Sequence, residues 1–370
     1  MSRSNSGQLA NSGNGMNGGM PVYGTYDVIV SGGGLVGVAC ATALARAGKK
    51  VALVERRSAL GWEIGRARCS TVGLGRASAY SVLVGELAEE LDQWSTNDGG
   101  QRASVAELLF DRWAMEAGVD VVFHGWSSKV VTRDGAVAGL VAGTREGYVL
   151  LEASRVIETE EHGRLIDETY AKTALTRGAR RVFLLRNAAW DGVKALTLPD
   201  GRELVLRAEA EDRTSAAMEL TAADAAGRNL EFHAAIPEAL RVIREQAEGC
   251  AEAVAYYWAE EAWSEPAFSL EDGFPKAGEE RPIGRLLRQT NGSLLPAELT
   301  TRHVSSSRTK GLLFAGPWLP CYSEACAHGY DAGVETLAVV NRLLLGEAAA
   351  SAVAPESVLA GKLPEPMRRD

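Results

Sequence analysis

Two short apolar runs flank a glycine-rich turn and a helix-forming stretch near the start of the chain. The first run is DVIV at 27–30, and the second is VALV at 51–54, followed by Glu55. Between the runs lie SGGGLVG at 31–37 and good helix formers from Ala39 to Ala47. Apolar runs of about four residues bounded by turn residues are typical of buried strands. The pattern therefore predicts a strand, a glycine turn, a helix and a second strand that ends in an acid.

The glycines of this turn indicate a site for a nucleotide diphosphate. Gly32, Gly34 and Gly37 have the spacing G-x-G-x-x-G. In such a unit the first glycine permits a tight turn, the second lets the backbone approach a pyrophosphate, and the third lets the helix pack on the strand. The N–H groups at the start of the helix, at Leu35 and Val36, are then expected to hold the phosphates.

The acid after the second strand narrows the choice of nucleotide. Glu55 lies 18 residues beyond Gly37, where its carboxylate can accept both hydroxyls of an adenosine ribose, so NADP is not expected. The segment DVIVSGGGLVGVACATALARAGKKVALVERR and the LGWEIGRA that follows resemble the FAD-binding start of two-dinucleotide-fold flavoproteins, the glutathione-reductase-like class. The resemblance implies that Arg56 accompanies Glu55 and that Arg66 lies in a stretch beside the flavin.

The next segment has the pattern of a helix followed by a β-meander. The capping box of Ser104 and Glu107 predicts a helix to about Ala117, since such a pair satisfies the first free N–H groups. The strands predicted after it lie at 118–122, 128–131, 137–141 and 149–157. The resemblance implies a three-stranded meander here and places Val130 near the adenine.

A C-terminal strand and helix carry the third part of the resemblance. The apolar run 311–314 is followed by Ala315 and Gly316, and a helix is predicted from Ala332 to Leu345, stopped by Gly346. The resemblance implies that Gly316 lies near the ribityl chain and that Gly333, at the helix N-terminus, faces the flavin pyrimidine edge.

Two places depart from the pattern of this flavoprotein class. The class usually has an aspartate directly after the strand-ending glycine, where this chain has Pro317 and Trp318. It usually ends the meander in Ala-Thr-Gly, where this chain has IETEE at 157–161. Two carboxylates, Glu158 and Glu160, thus stand where a diphosphate is expected, which affects FAD binding more than the fold.

The middle of the chain switches to strand patterns with hairpin turns. Strands are predicted at 181–185, 193–198, 203–207 and 218–221, with turns at 199–201 and 226–229. This pattern indicates an antiparallel sheet, which the resemblance places as the roof of a substrate pocket. Pro237 is predicted to open a helix that runs to about Ala262, before an acidic loop at 264–281.

These elements predict an α/β fold with a Rossmann-type FAD-binding domain, built of a parallel sheet plus a three-stranded β-meander, and a smaller α+β substrate domain. The predicted boundaries are a disordered tail at 1–22, a discontinuous FAD-binding domain at 23–165 and 300–350, a substrate or cap domain at 166–299, and a C-terminal tail at 351–370.

The candidate chemistry lies in PWLPCYSEACAHGYD at 317–331, which the resemblance places at the redox face. Removing a hydride from an alcohol or amine requires a base, and His328 has a suitable pKa range. Tyr322 and Tyr330 are candidates to orient the substrate. A histidine hydrogen-bonded to the backbone is an equally good interpretation of His328. Cys321, Cys326 and His328 form only a weak zinc set, no metal is expected, and inert thiols are favoured over a thioether to the flavin.

Composition and charge limit the partners. The chain has 370 residues, 46% of them hydrophobic, and 39 basic against 48 acidic residues give a net charge of −9. That length predicts two domains, and that charge argues against nucleic acid or an anionic membrane as the main partner. Five scattered cysteines and a polar N-terminal stretch without an apolar core favour a cytoplasmic protein.

The sequence therefore predicts an FAD-dependent oxidoreductase, a dehydrogenase or oxidase, that removes a hydride from a small polar molecule such as an alcohol, sugar or amine. Electrons would pass to oxygen or to an external acceptor. One alternative is a degenerate flavoprotein-like subunit that acts in a complex, suggested by Glu158, Glu160 and Pro317. Another is an NAD-dependent dehydrogenase. A homo- or hetero-oligomer and a covalent flavin both stay open.

Overall fold

The computed structural model describes residues 19–94, 102–166, 170–175, 178–190, 192–210, 213–264, 266–270, 280–291, 293–326 and 332–355. The helices are α1 (Leu35–Arg46), α2 (Trp62–Gly65), α3 (Val82–Trp94), α4 (Arg102–Ala117), α5 (Ala225–Gln246), α6 (Pro320–Ala325) and α7 (Ala332–Val353). The strands are β1 (Val22–Thr25), β2 (Val28–Ser31), β3 (Val51–Glu55), β4 (Asp120–Phe123), β5 (Trp126–Arg133), β6 (Ala136–Thr144), β7 (Gly147–Glu152), β8 (Val156–Glu158), β9 (Lys172–Ala174), β10 (Ala179–Arg186), β11 (Val193–Thr197), β12 (Glu203–Ala210), β13 (Arg213–Leu220), β14 (Val254–Trp258), β15 (Trp263–Ser264), β16 (Phe268–Leu270), β17 (Pro282–Thr290), β18 (Ser293–Thr300) and β19 (Leu312–Phe314).

A five-stranded parallel sheet forms the centre of the first layer. Its order is β19-β8-β2-β3-β4, and every paired strand in it runs parallel. All residues of β2 and β3 are buried, as expected for a parallel sheet covered on both faces. The predicted strand, glycine turn, helix and strand are confirmed, and the C-terminal strand joins the same sheet beside β8.

Helix α7 is longer than the sequence predicts. It continues through Gly346 to Val353, so the prediction that Gly346 ends the helix is wrong. A Cβ at Gly346 would lie 2.3 Å from the Val36 carbonyl oxygen and 2.8 Å from Ala39 Cβ. The glycine is therefore a close-packing residue against α1, not a C-terminal stop.

Strands β5, β6 and β7 form the predicted meander, with β1 added as a fourth strand parallel to β7. The predicted single strand at 149–157 is divided in the structure. Its first part is β7, in the meander, whereas its last part is β8, in the parallel sheet between β19 and β2. The break at 153–155 lets the chain pass from one sheet to the other, which a continuous apolar pattern does not reveal.

A separate antiparallel sheet has the order β11-β12-β13-β10-β14, with β15 also paired to β10. Its strands confirm the predicted hairpin region. The predicted turn at 226–229 and the predicted helix start at Pro237 are wrong, because α5 begins at Ala225 and contains Pro237 in its interior. The side chain of Asp224 accepts a hydrogen bond from the Gly227 amide at 2.8 Å and so fixes the helix start.

The predicted helix also does not continue to Ala262. It ends at Gln246, and Val254–Trp258 forms the edge strand β14. Sequence reasoning did not predict the hairpin of β17 and β18, whose Ile283, Leu286 and Leu287 enter the main hydrophobic cluster with α7 residues. A second cluster lies between the antiparallel sheet and α5. The domain boundaries given above stay a prediction.

Among the described helices, α7 is long and apolar enough between Gly333 and Val353 to cross a membrane. However, 83% of its most apolar window is buried inside the protein. The same length and apolarity are found in core helices of globular proteins, and its packing on α1 gives this helix such a position.

Candidate nucleotide-binding site

The glycine bend between β2 and α1 has the geometry that its spacing predicts. Gly32 has a φ of +100°, which a side chain rarely tolerates, and its amide donates to the Val54 carbonyl at 2.8 Å. A Cβ at Gly37 would lie 1.7 Å from the Gly32 carbonyl oxygen, so only glycine lets α1 pack this closely on the bend. The role of these glycines in holding FAD stays a prediction.

A carboxylate of the chain itself lies at the N-terminus of α1. The Leu35 amide donates to both carboxylate oxygens of Glu63, at 3.1 and 3.0 Å. A Cβ at Gly34 would lie 2.8 Å from a Glu63 oxygen, so the carboxylate rests directly on the bend. Since α2 carries Glu63, this short helix covers the place that the sequence assigns to a pyrophosphate.

Arg342 of α7 completes this ionic contact. Its guanidinium donates to Glu63 at 2.7 Å, and both side chains are only 2% exposed. Burial raises the pKa of the Glu63 carboxyl, whereas Arg342 acts in the opposite direction. A buried charge requires a partner of this kind, because an unpaired one is costly to remove from water.

Both carboxylate oxygens of Glu55 also accept hydrogen bonds from the chain itself. One of its oxygens accepts the Gly33 amide at 2.5 Å, and the other accepts the Arg57 amide at 2.7 Å and the Arg57 guanidinium at 3.3 Å. The residue is 1% exposed. Burial raises its pKa, and Arg57 opposes that shift. A Cβ at Gly33 would meet Leu60 at 2.7 Å, so this side of the bend is covered too.

The predicted basic residues are paired with carboxylates of the chain itself. Arg56 pairs with Glu161 at 2.8 Å, and Arg66 pairs with Glu260 and with Glu107, which lies 3.3 Å away. Arg66 therefore connects α2 to α4 and to the loop after β14. Although burial acts in the opposite direction, the neighbouring arginines hold the pKa of Glu161 well below its usual range.

Glu158, the last residue of β8, and Glu160 just after it are both buried. Glu158 is completely buried and accepts the Glu160 amide at 2.8 Å, the Leu165 amide at 3.0 Å and the Ser31 hydroxyl at 3.3 Å. Burial and the nearby Glu160 raise the pKa of Glu158 to about 8. These contacts fix the loop that follows β8.

The remaining predicted cofactor residues lie at three separate places. Val130 is a half-buried residue of β5 and pairs with Leu140. Gly316 is covered by Trp318, whose ring would lie 2.3 Å from a Cβ there. The Trp318 indole donates to the Glu160 carbonyl at 3.0 Å. Gly333 lies in the first turn of α7.

Of the predicted catalytic residues, the structure describes only Tyr322. It is 5% exposed, and its hydroxyl donates to the Ala338 carbonyl at 3.3 Å and accepts from Arg342 at 3.4 Å. Burial raises the pKa of this phenol well above its usual value. Tyr322 therefore packs between α6 and α7. His328 and Tyr330 lie outside the described residues, and their roles stay predictions.

Two cavities lie between the parallel-sheet layer and the antiparallel sheet. The first, here called the edge cavity, has about 480 Å³ and is lined in part by Trp62, Glu161, Arg181, Asn229 and Pro317. The second, the roof cavity, has about 720 Å³ and lies under β12 and β13. Both volumes are in the range of small-molecule sites.

Polar groups line the roof cavity from both sides. Arg68, Ser70 and Thr71 come from the segment after α2, and Arg207 and Ser215 come from the antiparallel sheet. Sequence reasoning missed these residues. A signal was present for Arg207, because the alternation of β12 buries Leu204 and Leu206 on one face and puts Arg207 on the other.

A buried ion pair connects the antiparallel sheet to α7. Glu335 in the first turn of α7 pairs with Arg180 of β10, and both are 1% exposed. Glu335 also accepts the Ser70 amide at 2.9 Å and the Arg207 guanidinium at 3.5 Å. The roof cavity thus lies where the segment after α2, the antiparallel sheet and the start of α7 meet.

Comparison with known proteins identifies the family to which this chain belongs. The model of the family described as "FAD dependent oxidoreductase" matches residues 27–264. The chain belongs to the FAD-dependent oxidoreductases. FAD is the cofactor of this family, and the match includes the glycine bend, Glu55, the meander and the antiparallel sheet.

A curated relative agrees with this assignment. The chain is 27% identical over 186 residues to the probable electron transfer flavoprotein-quinone oxidoreductase YgcN of Escherichia coli, and the match covers 44% of each chain. The match thus spans less than half the length of that curated relative.

Solved structures show the same fold at low identity. A geranylgeranyl bacteriochlorophyll reductase-like protein from Thermoplasma acidophilum is 14% identical, with a TM-score of 0.52, over 91% of this chain and 82% of that one. The p-nitrophenol 4-monooxygenase PnpA from Pseudomonas putida is 13% identical, with a TM-score of 0.53, over the same shares. The predicted fold class is confirmed. The assignment to FAD-dependent oxidoreductases is confirmed too, but not the narrower glutathione-reductase-like class.

As folded here, the bend does not fit the diphosphate of FAD. The Leu35 amide is bonded to Glu63, and both oxygens of Glu55 are bonded to the chain itself. Trp62 and Leu60 pack over the glycine backbone. Space for a dinucleotide at this place requires that α2 move.

Proposed function

We propose that this FAD-dependent oxidoreductase removes a hydride from a small polar molecule, such as an alcohol, sugar or amine, and passes the electrons to oxygen or an external acceptor. The observation that supports this proposal best is the roof cavity. It has about 720 Å³ and combines hydroxyl and guanidinium groups with apolar walls, the mixture that fixes the orientation of small ligands.

The donors in this cavity suit oxygen-bearing substrates. Ser70 and Ser215 supply hydroxyls, and Arg68 and Arg207 supply guanidinium donors. Arg207 and the Ser70 backbone are held by Glu335, so these groups are positioned before a substrate arrives, which lowers the entropic cost of binding. His328 is the proposed base, on the sequence argument given above.

The direct test is the visible absorption spectrum of the purified protein after incubation with FAD, before and after acid precipitation. Flavin bands that an alcohol, sugar or amine bleaches without oxygen would support the proposal. Flavin retained in the precipitate would indicate a covalent link. A protein that binds FAD but is not bleached by any of these substrates would contradict the proposed reaction.

A glycine variant tests the assignment of the bend. Gly34→Ala should weaken FAD binding by about tenfold, or about 1.4 kcal/mol, because the added methyl group would occupy the position where backbone and phosphate have to meet. Gly85→Ala in α3 is the matched control, since its Cβ would lie 3.6 Å from the nearest atom. Calorimetric titration with FAD measures both. Unchanged affinity in Gly34→Ala would exclude the bend as the diphosphate site.

The alternative of a degenerate flavoprotein-like subunit has one specific observation in its favour, the closed bend with Glu63 on the Leu35 amide. It predicts a protein that stays colourless with excess FAD and copurifies with a second chain. The family match favours FAD over the NAD-dependent alternative.

A further inference from the structure

Glu63 places a carboxylate where a dinucleotide would place a phosphate. It contacts the free amide at the N-terminus of a 12-residue helix, the position at which helices bind phosphate. We propose that α2 is a built-in occupant of the diphosphate site, and that a dinucleotide binds by displacing Glu63 from α1. This inference rests on the proposed FAD-dependent function and adds a regulatory step to it.

The charge balance around the bend supports an exchange of one anion for another. Arg342 is buried, contacts Glu63 at 2.7 Å and lies with its guanidinium 4.3 Å from the Trp263 ring centroid. A buried guanidinium is stable only while an anion is nearby. Phosphate satisfies guanidinium as well as a carboxylate does, so the site favours either anion over none.

The exchange requires α2 to move as a unit away from α4, on which Gly61 and Gly65 pack it closely: a Cβ at either would lie within 2.3 Å of Phe110 or Glu107. The helix has four residues, with Gly61 before it at a φ of +62° and Gly65 at its end. Trp62 is 2% exposed and lies under the Arg57 guanidinium, 4.4 Å from it. Displacement of α2 would bring this indole toward solvent and would break the contact of Leu35 with Glu63.

Loss of the Glu63 charge should therefore strengthen dinucleotide binding. In Glu63→Gln, the Kd for FAD and for ADP should fall about tenfold, the scale of one charge at a partly buried helix N-terminus. The control is Glu347→Gln, which removes a half-buried carboxyl of the same helix as Arg342 that accepts from the Leu83 amide at 3.5 Å and not from Leu35. Calorimetry with the full chain measures all the affinities.

The wild-type protein supplies a second measurement that does not depend on the folding of a variant. On addition of FAD or ADP, the backbone amides of 61–66 should lose protection in hydrogen exchange.

The double variant Glu63→Gln/Arg342→Met should lose most of the gain in affinity, because no buried cation then meets the phosphate.

The outcomes separate this proposal from the proposed function. Equal affinities in wild type and Glu63→Gln, or FAD binding with no change in the exchange of 61–66, would overturn the displacement of α2 while the redox assignment stands. Tighter FAD binding in Glu63→Gln without bleaching by any substrate would leave α2 as the occupant and contradict the reaction. Absence of binding in both proteins would overturn the displacement model.

Discussion

Single buried carboxyl groups fix much of the local structure around the candidate sites. Glu55, Glu63, Glu158 and Glu335 are each 2% exposed or less, and each is held by backbone amides or guanidinium groups. Such groups are costly to bury unless every oxygen is satisfied. Their partners here come from distant parts of the chain: 28 residues separate Glu63 from Leu35, and 279 separate it from Arg342.

The raised pKa of Glu158, about 8, predicts a pH-dependent stability. The folded protein keeps this proton between about pH 4.5 and 8, while the unfolded chain releases it, so the free energy of unfolding falls as pH rises through this range. The slope from one such group is about 1.4 kcal/mol per pH unit. Glu158→Gln should remove that part of the slope, with some loss of stability at pH 5 because one amide contact is lost.

Urea unfolding at pH 5.5, 6.5 and 7.5 measures this slope. The control is Glu86→Gln, which removes an exposed carboxylate that pairs with Arg46 at 2.9 Å and should leave the slope unchanged. A Glu158→Gln protein with the wild-type slope would show that Glu158 is ionised in the folded state across this range.

At the scale of elements, both the local sequence pattern and tertiary contacts determine where a helix or strand begins and ends. The sequence predicted β2, α1 and β3 because their apolar runs and glycine spacing are local signals. It failed at Gly346 because a tertiary contact decides there, since Gly346 packs on Val36 and Ala39. At Pro237 it missed a local signal, because Asp224 caps a helix that begins before the proline.

Substitution of Gly346 tests this argument directly. Helix propensity alone would make Gly346→Ala more stable by about 1 kcal/mol, but the added Cβ would lie 2.3 Å from the Val36 carbonyl oxygen. The steric overlap should outweigh the gain in helix propensity, and the free energy of unfolding should fall by about 1–3 kcal/mol. Gly85→Ala, also within a helix, should be neutral or stabilising. If both variants gain stability in urea unfolding, this would contradict the close packing of α7 on α1 at Gly346.

The candidate site could be predicted only in part for the same reason. The glycine bend is a local motif, and its geometry followed from the spacing of Gly32, Gly34 and Gly37. The contact of Glu63 with α1 could not be predicted, because nothing in the pattern of GWEIGR indicates which way that carboxylate turns. The burial of Tyr322 depends likewise on α7 lying against α6.

At the scale of the whole molecule, buried ion pairs connect the layers. Arg180 in the antiparallel sheet pairs with Glu335 of α7, and Glu335 also accepts from Ser70 and Arg207, which line the roof cavity. Glu335→Gln should destabilise the protein by about 3–5 kcal/mol, since it removes the negative charge that faces a buried guanidinium. Arg180→Met/Glu335→Leu should recover most of this loss.

Thermal or urea unfolding of the three proteins measures the effect, and Glu86→Gln serves again as the exposed control, with an expected change within about 1 kcal/mol. A change of the same small size in Glu335→Gln would mean that the contact between the layers does not depend on this pair.

Helix α7 carries both Glu335, which anchors the antiparallel sheet, and Arg342, which faces the glycine bend. Seven residues, about two helical turns, separate them, so the two side chains lie on one face of a single rigid rod. A displacement of this helix along its axis would therefore alter both ionic contacts together. The attachment of the antiparallel sheet and the ionic contact beside the glycine bend therefore depend on the position of one helix.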